Sequence, residues 1–371
     1  MRLAMLPSHM AGEHIFDPGG LEGAQTTSGD APTDTSADHA GPPESEVEVG
    51  LRPACLQDFV GQTRVVDNLQ LAISAAKMRE EPTEHILFSG PPGLGKTSLS
   101  RILAAEMGAR LVSTSGPGLE RPKDLVGILT QLEQGDVLFI DEVHRTPQAV
   151  EEYLYTAMED FSVDLTIDSG PHARVMTMGL KPFTLVGATT REGLLSAPFR
   201  ARFGIVERLS PYPTKELVTI LSRSATILGA PITDDAAQLI GERSRGTPRI
   251  ANRLLRRARD MALVRGIERI DQALASETLE RLGIDDRGLE EMDRRILRCL
   301  ANADGAPVGL KTIAAAIDES EDTIADVFEP HLLRCGLLQR TSRGRVLTAT
   351  GRAYIGEGKS SSPGTAPEEI W

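Results

Sequence analysis

The octapeptide GPPGLGKT, residues 90–97, has the residue types and the spacing of a phosphate-binding loop. Its glycines would let backbone amides close around phosphate oxygens, and the helix that follows would direct its positive end at the anion. Lys96 would supply charge to the outer phosphates, and the Thr97 hydroxyl would ligate Mg²⁺. The octapeptide stands between the apolar run HILFSG and the helical KTSLSRILAAEMG, as such a loop requires. We therefore predict ATP and Mg²⁺ as cofactors, the alternative being a glycine-rich turn that fits by chance.

A second acidic motif, VLFIDEVHR, follows 44 residues after Thr97, counted to Asp141. Four apolar residues would place Asp141 and Glu142 at the exposed end of a buried strand, where parallel sheets bind ligands. Asp141 would hold Mg²⁺ through water, and Glu142 would polarise an attacking water molecule. An acidic pair by itself is usually a solvated strand end, whereas behind a phosphate-binding loop it predicts nucleotide hydrolysis. His144 is expected to start a helix or to pack.

Two further positions could sense the nucleotide. The run FTLVGATTR would end a strand near the outermost phosphate, with Thr189 as the candidate sensor and Thr190 as its alternative. In RGTPRIANR, Arg249 begins a helix in which Pro248 suits the first turn. Arg249 could therefore fold back over a bound nucleotide.

The segment SAPFRARFG places Arg200 and Arg202 two residues apart, just beyond the last predicted strand. In a monomer these would be surface arginines. In a ring, such an arginine reaches the neighbouring subunit's outermost phosphate and stabilises the charge that develops there. Both interpretations remain open from the residues alone.

Charge is distributed unevenly along this acidic chain. The formal net charge is −13, of which −8 lies in residues 1–50, so the remainder carries −5. Residues 330–356 contain no acid but five arginines, namely Arg334, Arg340, Arg343, Arg345 and Arg352. Because arginine forks match phosphate oxygens and an acid-free surface does not repel a polyanion, this stretch could contact nucleic acid.

The elements needed to position these residues follow from periodicity. Short apolar runs alternate with helical stretches, which predicts an α/β fold with a parallel sheet and helices on both faces. Helical spacing alone follows residue 211, and three helices with a strand–turn–strand then indicate a winged helix. The predicted parts are a disordered acidic extension at 1–48, a large ATPase domain at 49–211, a small helical domain at 212–282, a winged-helix domain at 283–352 and a disordered tail at 353–371.

Composition excludes several classes of protein. No run approaches the 18 apolar residues that would cross a membrane, and the first residues lack a secretory signal. Three scattered cysteines are too few for a disulfide framework or a zinc site. We therefore predict a cytoplasmic protein without a membrane partner.

Together these motifs resemble the AAA+ ATPases and, within them, the RuvB family, the motor of Holliday-junction branch migration. The resemblance runs from about Leu51 to Thr350. Its most specific pieces are LRP, DFVGQ, GPPGLGKT, LFIDEVHR, VEEYLYTAMED, FTLVGATTR, RGTPRIANRLLRR and LLQRT. The resemblance implies an ATP-dependent DNA translocase that serves homologous recombination, DNA repair and the SOS response.

The resemblance also implies site residues. The nucleotide pocket would comprise Leu51, Arg52, Gly93, Lys96, Thr97, Ser98, Glu159, Asp160, Phe161, Arg202, Tyr212 and Arg249. Lys96, Asp141, Glu142, Thr189 and Arg202 would be catalytic, with Arg202 as the finger supplied to the next subunit. Arg340 and Arg345 would contact DNA from the wing, which gives the acid-free stretch a purpose.

Implied partners are the duplex arms of a Holliday junction, a RuvA tetramer and, in a larger complex, the RuvC resolvase, with the chain forming a homohexamer. Residues 162–182 read as a β-hairpin that would dock RuvA, although Val175, Met176 and Met178 could instead pack on their own domain. The stretch MTMGLK departs from the family pattern there. Alternative functions are a clamp-loader-like AAA+ ATPase and a DNA-binding regulator switched by ATP.

Overall fold

A computed structural model of the chain describes residues 50–166 and 175–358. The predicted extension at 1–48 and the end of the predicted tail lie outside these residues. Within the described residues, seven strands precede the small helical domain, namely β1 Ile86–Ser89, β2 Leu111–Ser115, β3 Val137–Asp141, β4 Ser162–Thr166, β5 Val175–Gly179, β6 Thr184–Thr189 and β7 Ile205–Arg208.

Five of these strands form one parallel sheet in the order β2-β3-β6-β1-β7. Every residue of β1 and β6 is buried, as expected for strands covered on both faces. The predicted α/β class is thereby confirmed. The edge strands β2 and β7 escaped prediction because polar residues interrupt them and they are only partly buried.

The strand register brings the chemical motifs to one edge of the sheet. Ser89 at the end of β1 pairs with Thr189 at the end of β6, and Asp141 ends β3 beside Ser115. Since all these strands run in one direction, the loops that follow them lie together at the carboxyl edge. The phosphate-binding loop follows β1, and Glu142 follows β3.

Helices cover both faces of the sheet. One buried cluster lies under the helix Lys96–Met107 and continues into the small helical domain, and a second lies on the opposite face around Phe199 and Phe203. The helices of the large domain span Thr63–Arg79, Lys96–Met107, Pro122–Leu129, Gln148–Glu159 and Ala197–Ala201.

Strands β4 and β5 form the predicted antiparallel hairpin, with Val163 opposite Met178. Met178 packs against the second cluster, whereas Met176 remains 45% exposed. The hairpin therefore uses one of its methionines for its own domain and leaves the other on the surface.

The small helical domain, which we call the lid, contains four helices. These are Thr214–Ile227, Asp234–Arg243, Pro248–Arg265 and Gln272–Arg281. Side-chain oxygens of Thr233 and Asp271 cap two helix starts by accepting from the amides of Ala236 and Leu274. Sequence signals at these positions thus set the helix boundaries locally.

The winged helix has a core of its own. Its helices are Glu291–Ala301, Leu310–Ile317 and a third helical stretch, 321–334, which contains a π-helical turn at Ile324–Phe328. The wing is the antiparallel pair β8 Leu338–Thr341 and β9 Gly344–Leu347. A final helix, Ala349–Gly358, differs from the prediction of a disordered tail from residue 353. The Tyr354 hydroxyl in this helix donates a hydrogen bond to Asp285, which fixes the helix to the domain's first turn.

Candidate nucleotide site and nucleic-acid interface

A cavity lies where the phosphate-binding loop, the segment before the first helix and the lid meet. Of the predicted site residues, those lining it are Leu51, Arg52, Gly93, Lys96, Thr97, Ser98, Asp141, Glu142, Tyr212 and Arg249. The cavity walls also include Arg223 and Asn252 of the lid, which sequence reasoning did not single out. Arg256 lines the cavity as well, although the run of arginines in its helix predicts a solvated or interface face. The first turn of a helix, a lysine and two carboxylates therefore converge on one space.

The phosphate-binding loop adopts a conformation that only glycine accepts easily. Gly90, Gly93 and Gly95 have φ values of 134°, 78° and 108°. A Cβ on Gly93 would lie 2.8 Å from Cγ2 of Thr247, so this glycine also allows the lid to approach the loop. The sequence motif thus specifies both the backbone turn and its contact with the next domain.

Lys96 is held inside the loop. Its Nζ donates to the carbonyl oxygens of Gly90 at 2.7 Å and Pro91 at 3.0 Å. Burial lowers the pKa of this ammonium, while the nearby charges of Glu142 and Asp141 raise it. An ammonium has three N–H donors, of which two are used here, so the third can donate to an anionic oxygen in the cavity.

Glu142 occupies a left-handed backbone conformation with φ 47°, directly after β3. Its amide donates to Oδ1 of Asp141 at 2.9 Å, which orients the first carboxylate. Its Oε2 accepts from the Thr190 hydroxyl at 3.2 Å and lies 3.3 Å from Nδ1 of His144. A strained, non-glycine residue held by polar neighbours is typical of a functional position.

The two candidate sensor threonines point to different partners. Thr189 is fully buried, and its Oγ1 lies 2.9 Å from Nδ1 of His144 and accepts from the amide of Arg191 at 3.0 Å. Thr190 instead reaches Glu142. His144, expected to start a helix or to pack, lies in the helical turn Val143–Arg145 and connects the sensor strand to the acidic motif. Burial lowers the pKa of its imidazole.

The lid closes the pocket through main-chain and tyrosine contacts. The amide of Arg249 lies 3.4 Å from the carbonyl oxygen of Gly93, and the Tyr212 hydroxyl donates to the carbonyl oxygen of Leu94 at 3.1 Å. Burial raises the pKa of Tyr212 strongly, which keeps the phenol protonated as a donor. Residues far apart in the sequence therefore hold the loop from the lid side.

Among the described residues, Arg202 is not one that lines this cavity. Its Nη2 donates to Oε2 of Glu159 at 2.9 Å, and its guanidinium lies 4.3 Å from the centre of the Tyr155 ring. Asp160 and Phe161 come directly after the helix Gln148–Glu159, and Phe161 packs against Phe183. Glu159 thus lies beside Arg202, and the described residues Glu159, Asp160 and Phe161 are not among those that line the cavity.

Arg340 and Arg345 of the wing share one acid. Both guanidinium groups donate to the carboxylate of Glu329, Arg340 at 2.7 and 2.8 Å and Arg345 at 2.9 and 3.1 Å. Burial would raise the pKa of Glu329, but these hydrogen bonds outweigh it and hold the pKa below its usual range. The Arg340 side chain remains 54% exposed and that of Arg345 19%, so the wing presents Arg340 more openly.

The part of the chain that the structure describes shows neither a cluster of metal ligands nor a membrane-spanning helix. Across residues 50–166 and 175–358, His, Cys, Asp and Glu side chains do not gather in groups of three that could hold a metal ion. Within the same residues, no helix is long and apolar enough to span a bilayer.

A parallel sheet with a phosphate-binding loop, a helical lid and a winged helix defines a P-loop ATPase of the AAA+ class. Three family models match consecutive parts of the chain: the Holliday junction DNA helicase RuvB P-loop domain at residues 51–209, the RuvB AAA lid domain at 212–285 and the RuvB C-terminal winged helix domain at 286–356. The chain belongs to the RuvB family, which confirms the resemblance inferred from the motifs.

Individual relatives agree with this assignment. The Holliday junction branch migration complex subunits RuvB of Chlorobium luteolum and Myxococcus xanthus are each 55% identical over 323 residues, covering 87% of this chain and 94% of theirs. The solved Thermotoga maritima RuvB Holliday junction branch migration motor is 49% identical with a TM-score of 0.76, covering 83% of this chain and 98% of its own. The similarity thus extends through all three domains.

Proposed function

We propose that this protein is an ATP hydrolase that translocates duplex DNA and drives Holliday-junction branch migration in recombination and repair. The observation that carries the proposal is that Lys96, Asp141 and Glu142 line one cavity with lid residue Arg249, in a chain whose winged helix presents arginines. Such an arrangement joins a hydrolytic site to a DNA-binding surface. We assign residues 49–211, 212–282 and 283–352 to the ATPase, lid and winged-helix domains.

Nucleotide binding follows from the loop and the lid. The buried ammonium of Lys96, held by two carbonyl oxygens, can transfer its hydrogen bonds to phosphate oxygens. Leu51 and Arg52 would flank the base, while Gly93, Ser98, Tyr212 and Arg249 would enclose the phosphates. Mg²⁺, which prefers oxygen ligands, fits the Thr97 hydroxyl and the Asp141 carboxylate, and when bound it would neutralise phosphate charge.

Hydrolysis needs a group that accepts a proton from water. Glu142 lines the cavity, and its Oε2 accepts from Thr190 at 3.2 Å. That hydrogen bond would hold one carboxylate oxygen in place, so that the other can take the proton of the attacking water. We therefore propose Thr190 as the direct sensor, with Thr189 supporting it through His144.

In a ring, an adjacent subunit would add a further arginine to each nucleotide site. Arg202 lies outside its own cavity and is partnered by Glu159, so we propose that it serves the site of an adjacent subunit in a homohexamer. There it would stabilise the negative charge on the transferring phosphoryl group. Glu159, which pairs with Arg202, and the adjoining Asp160 and Phe161 would then contact the neighbour's nucleotide.

The wing would grip the phosphate backbone. Arg340 and Arg345 hold their guanidinium planes in a fixed arrangement on Glu329, which suits contact with phosphates of any sequence. A motor that must pass every sequence needs this indifference. The partly exposed hairpin β4–β5 would bind a RuvA tetramer, and RuvC would join these proteins in a larger complex. We propose that the protein acts in the cytoplasm.

The test is branch migration of a synthetic four-way junction with Mg-ATP, with and without RuvA. We expect the four-way junction to dissociate into duplex products only when both ATP and this protein are present. ATP turnover without any displacement of the junction, even beside RuvA, would contradict the proposal. Stimulated loading of a sliding clamp, or nucleotide-dependent DNA binding without turnover, would favour a clamp loader or an ATP-switched regulator instead.

A further inference from the structure

A buried ion pair joins the lid to the winged helix. Arg245 lies in the turn between two lid helices, and Asp293 lies in the first helix of the winged helix. Nη2 of Arg245 is 2.6 Å from Oδ2 of Asp293, and Nη1 is 3.4 Å from Oδ1. The two side chains are 5% and 0% exposed. Removing either partner would leave an uncompensated buried charge, so this contact resists separation.

Further hydrogen bonds hold Arg245 at the same joint. Its Nε donates to the carbonyl oxygen of Gly288 at 2.8 Å, and its own carbonyl oxygen accepts from Nη2 of Arg334 at 2.7 Å. Gly288 leads into the winged helix, while Arg334 ends that domain's third helical stretch. Two separate parts of the winged helix are thus attached to one lid residue.

The same lid turn reaches the nucleotide cavity on its other side. The carbonyl oxygen of Gly246 accepts from the amide of Tyr212 at 2.9 Å, and the amide of Arg249 lies 3.4 Å from the carbonyl oxygen of Gly93. Arg245 and Gly246 have φ values of 55° and 69°, so the turn has a tightly defined shape. Five consecutive residues, 245–249, therefore connect the phosphate-binding loop to the winged helix.

The contact between the winged helix and the large domain has a different character. Arg191, which follows the sensor threonines, pairs with Asp326 and Asp322 at 2.8 Å. The Asp322 side chain is 72% exposed, so solvent and salt screen its pair with Arg191, whereas Arg191 and Asp326 are each 26% exposed. Both pairs of Arg191 are therefore more accessible to water than the buried pair at the lid, whose side chains are 5% and 0% exposed.

We infer that Arg245 and Asp293 are positioning residues that make the lid and the winged helix one rigid lever. A movement of the phosphate-binding loop would then rotate the lid and the winged helix together, with no change of angle at the Arg245–Asp293 contact. The contacts of Arg191 with Asp322 and Asp326 would break and re-form during this movement. The inference rests on the proposed function, because it assigns to two residues the coupling between nucleotide cleavage and DNA movement. It does not require either residue to touch nucleotide or DNA.

Distances measured in the full-length protein test the lever directly. The three cysteines are replaced by serine, and spin labels are placed at exposed positions: Leu263→Cys in the lid, Lys311→Cys in the winged helix and Met78→Cys in the large domain. We expect the distance from position 263 to 311 to be narrow and unchanged by a non-hydrolysable ATP analogue. The distance from 78 to 311 should change. A nucleotide-dependent shift between 263 and 311 would overturn the inference.

Asp293→Asn supplies the functional test, since it removes the charge but keeps an oxygen for the amide of Glu290. We expect about a tenfold loss of junctions migrated per ATP hydrolysed, a size usual for coupled sites, with DNA-free turnover retained. The 263–311 distances should also broaden. The exposed lid pair Arg257–Asp260 provides the control, because Asp260→Asn should change neither quantity.

A folded Asp293→Asn variant that migrates junctions at the normal cost in ATP would refute the coupling role. Should this variant fail to fold, as circular dichroism would reveal, the distances in the otherwise unmodified protein still decide whether the joint is rigid. If the unmodified protein never migrates a junction, the proposed function fails. That result remains distinguishable, because the 263–311 distance is measured independently.

Discussion

Nε of Arg345 lies 2.9 Å from Oε1 of Glu329, although the two residues are 16 positions apart. Glu329 is 1% exposed and stands immediately before the acid-free stretch. The carboxylate of Glu329 therefore lies beneath the positively charged wing. It accepts hydrogen bonds from both Arg340 and Arg345 and so holds the two guanidinium groups in a fixed arrangement. Because the pair of cations outnumbers the single carboxylate, the wing keeps a positive surface.

This relationship separates the two wing arginines. We expect Arg340→Ala to weaken duplex binding with little change in stability, since that side chain is 54% exposed. Arg345→Ala should weaken binding and also destabilise the winged helix by about 1 kcal/mol, because Glu329 then loses a buried partner. The double variant should flatten the salt dependence of binding by about one to two in logarithmic slope.

Fluorescence anisotropy at several salt concentrations and thermal unfolding measure these effects. Arg79→Ala, an exposed arginine at the end of the helix Thr63–Arg79, serves as the control and should leave both quantities unchanged. Unaltered DNA binding by the double wing variant, or collapse of its DNA-free ATP turnover, would show that these arginines serve another purpose.

Replacing Glu142 with glutamine should strongly reduce ATP turnover but leave nucleotide binding unchanged. The variant keeps the size of the side chain and its hydrogen bond to Thr190, yet it cannot accept a proton. We expect turnover to fall by about 10²- to 10⁴-fold, as for loss of a general base. Phosphate release and fluorescent-nucleotide titration measure the two quantities. Glu133→Gln, at an exposed surface position, should behave as the parent; near-normal turnover by Glu142→Gln would reject the assignment.

Mixing two inactive variants should restore activity if Arg202 works in the adjacent subunit. Arg202→Ala should reduce turnover by about 10³-fold or more, as for other arginine fingers. Its own cavity remains intact, so an adjacent Glu142→Gln subunit can supply the missing arginine. Steady-state turnover of mixed rings should exceed that of either variant alone. Additive, near-zero turnover in every mixture would argue against action between subunits.

A methyl group on Gly93 should weaken ATP binding. In Gly93→Ala the Cβ would meet Cγ2 of Thr247 at 2.8 Å and Cβ of Arg249 at 3.0 Å, on a backbone with φ 78°. We expect at least a roughly tenfold loss of affinity, since left-handed backbone alone costs about 1–2 kcal/mol for a residue with a Cβ. Calorimetric titration measures it. Gly127→Ala, where a Cβ would have open space, is the matched control, and equal affinities for both would contradict the steric argument.

Acid should loosen the joint near His331. Burial lowers the pKa of this imidazole from 6.5 to about 4, assisted by Arg245 and Arg334, while its bond to the carbonyl oxygen of Arg287 and the charge of Asp285 act oppositely. The folded protein therefore keeps His331 neutral, and the unfolded chain binds a proton first. The contribution of His331 to the free energy of unfolding is therefore fully present above pH 6.5. It is lost as the pH falls towards 4, by on the order of 3 kcal/mol.

His331→Gln keeps a hydrogen-bonding side chain but removes this titration. Urea unfolding of the variant between pH 4 and 6.5 should show a flatter pH dependence than the parent. At pH 7.5 the two proteins should differ much less. An identical acid-dependent loss in both would place the proton uptake at another residue.

Local sequence was sufficient wherever chemistry depends on consecutive residues. GPPGLGKT specifies its own turn, because the left-handed angles at Gly90, Gly93 and Gly95 need glycine. The apolar run VLFI needs burial and so carries Asp141 to the end of a strand. Periodicity likewise separated the parallel sheet, the lid and the winged helix, since each buries a different pattern of side chains.

Edge strands and chain ends were less predictable. Strands β2 and β7 are only partly covered, so their sequences lack the continuous apolar signal of β1 and β6. The final helix continues beyond residue 353 because the Tyr354 hydroxyl donates a hydrogen bond to Asp285 on another part of the winged helix. No local sequence pattern indicates that partner.

Tertiary structure alone decided which distant side chains meet. Whether Thr189 or Thr190 faces Glu142 depends on the exact rotation of the end of β6, and neighbouring threonines look alike in sequence. The pairing of Arg345 with Glu329 and of Arg245 with Asp293 requires chain folding across 16 and 48 positions. The sequence by itself thus predicted the family, which the comparisons confirm, and it singled out candidate phosphate-binding groups, because a phosphate-binding loop depends on local backbone shape. Packing decided the polar connections between domains, because charges become buried partners only when separate elements exclude water around them.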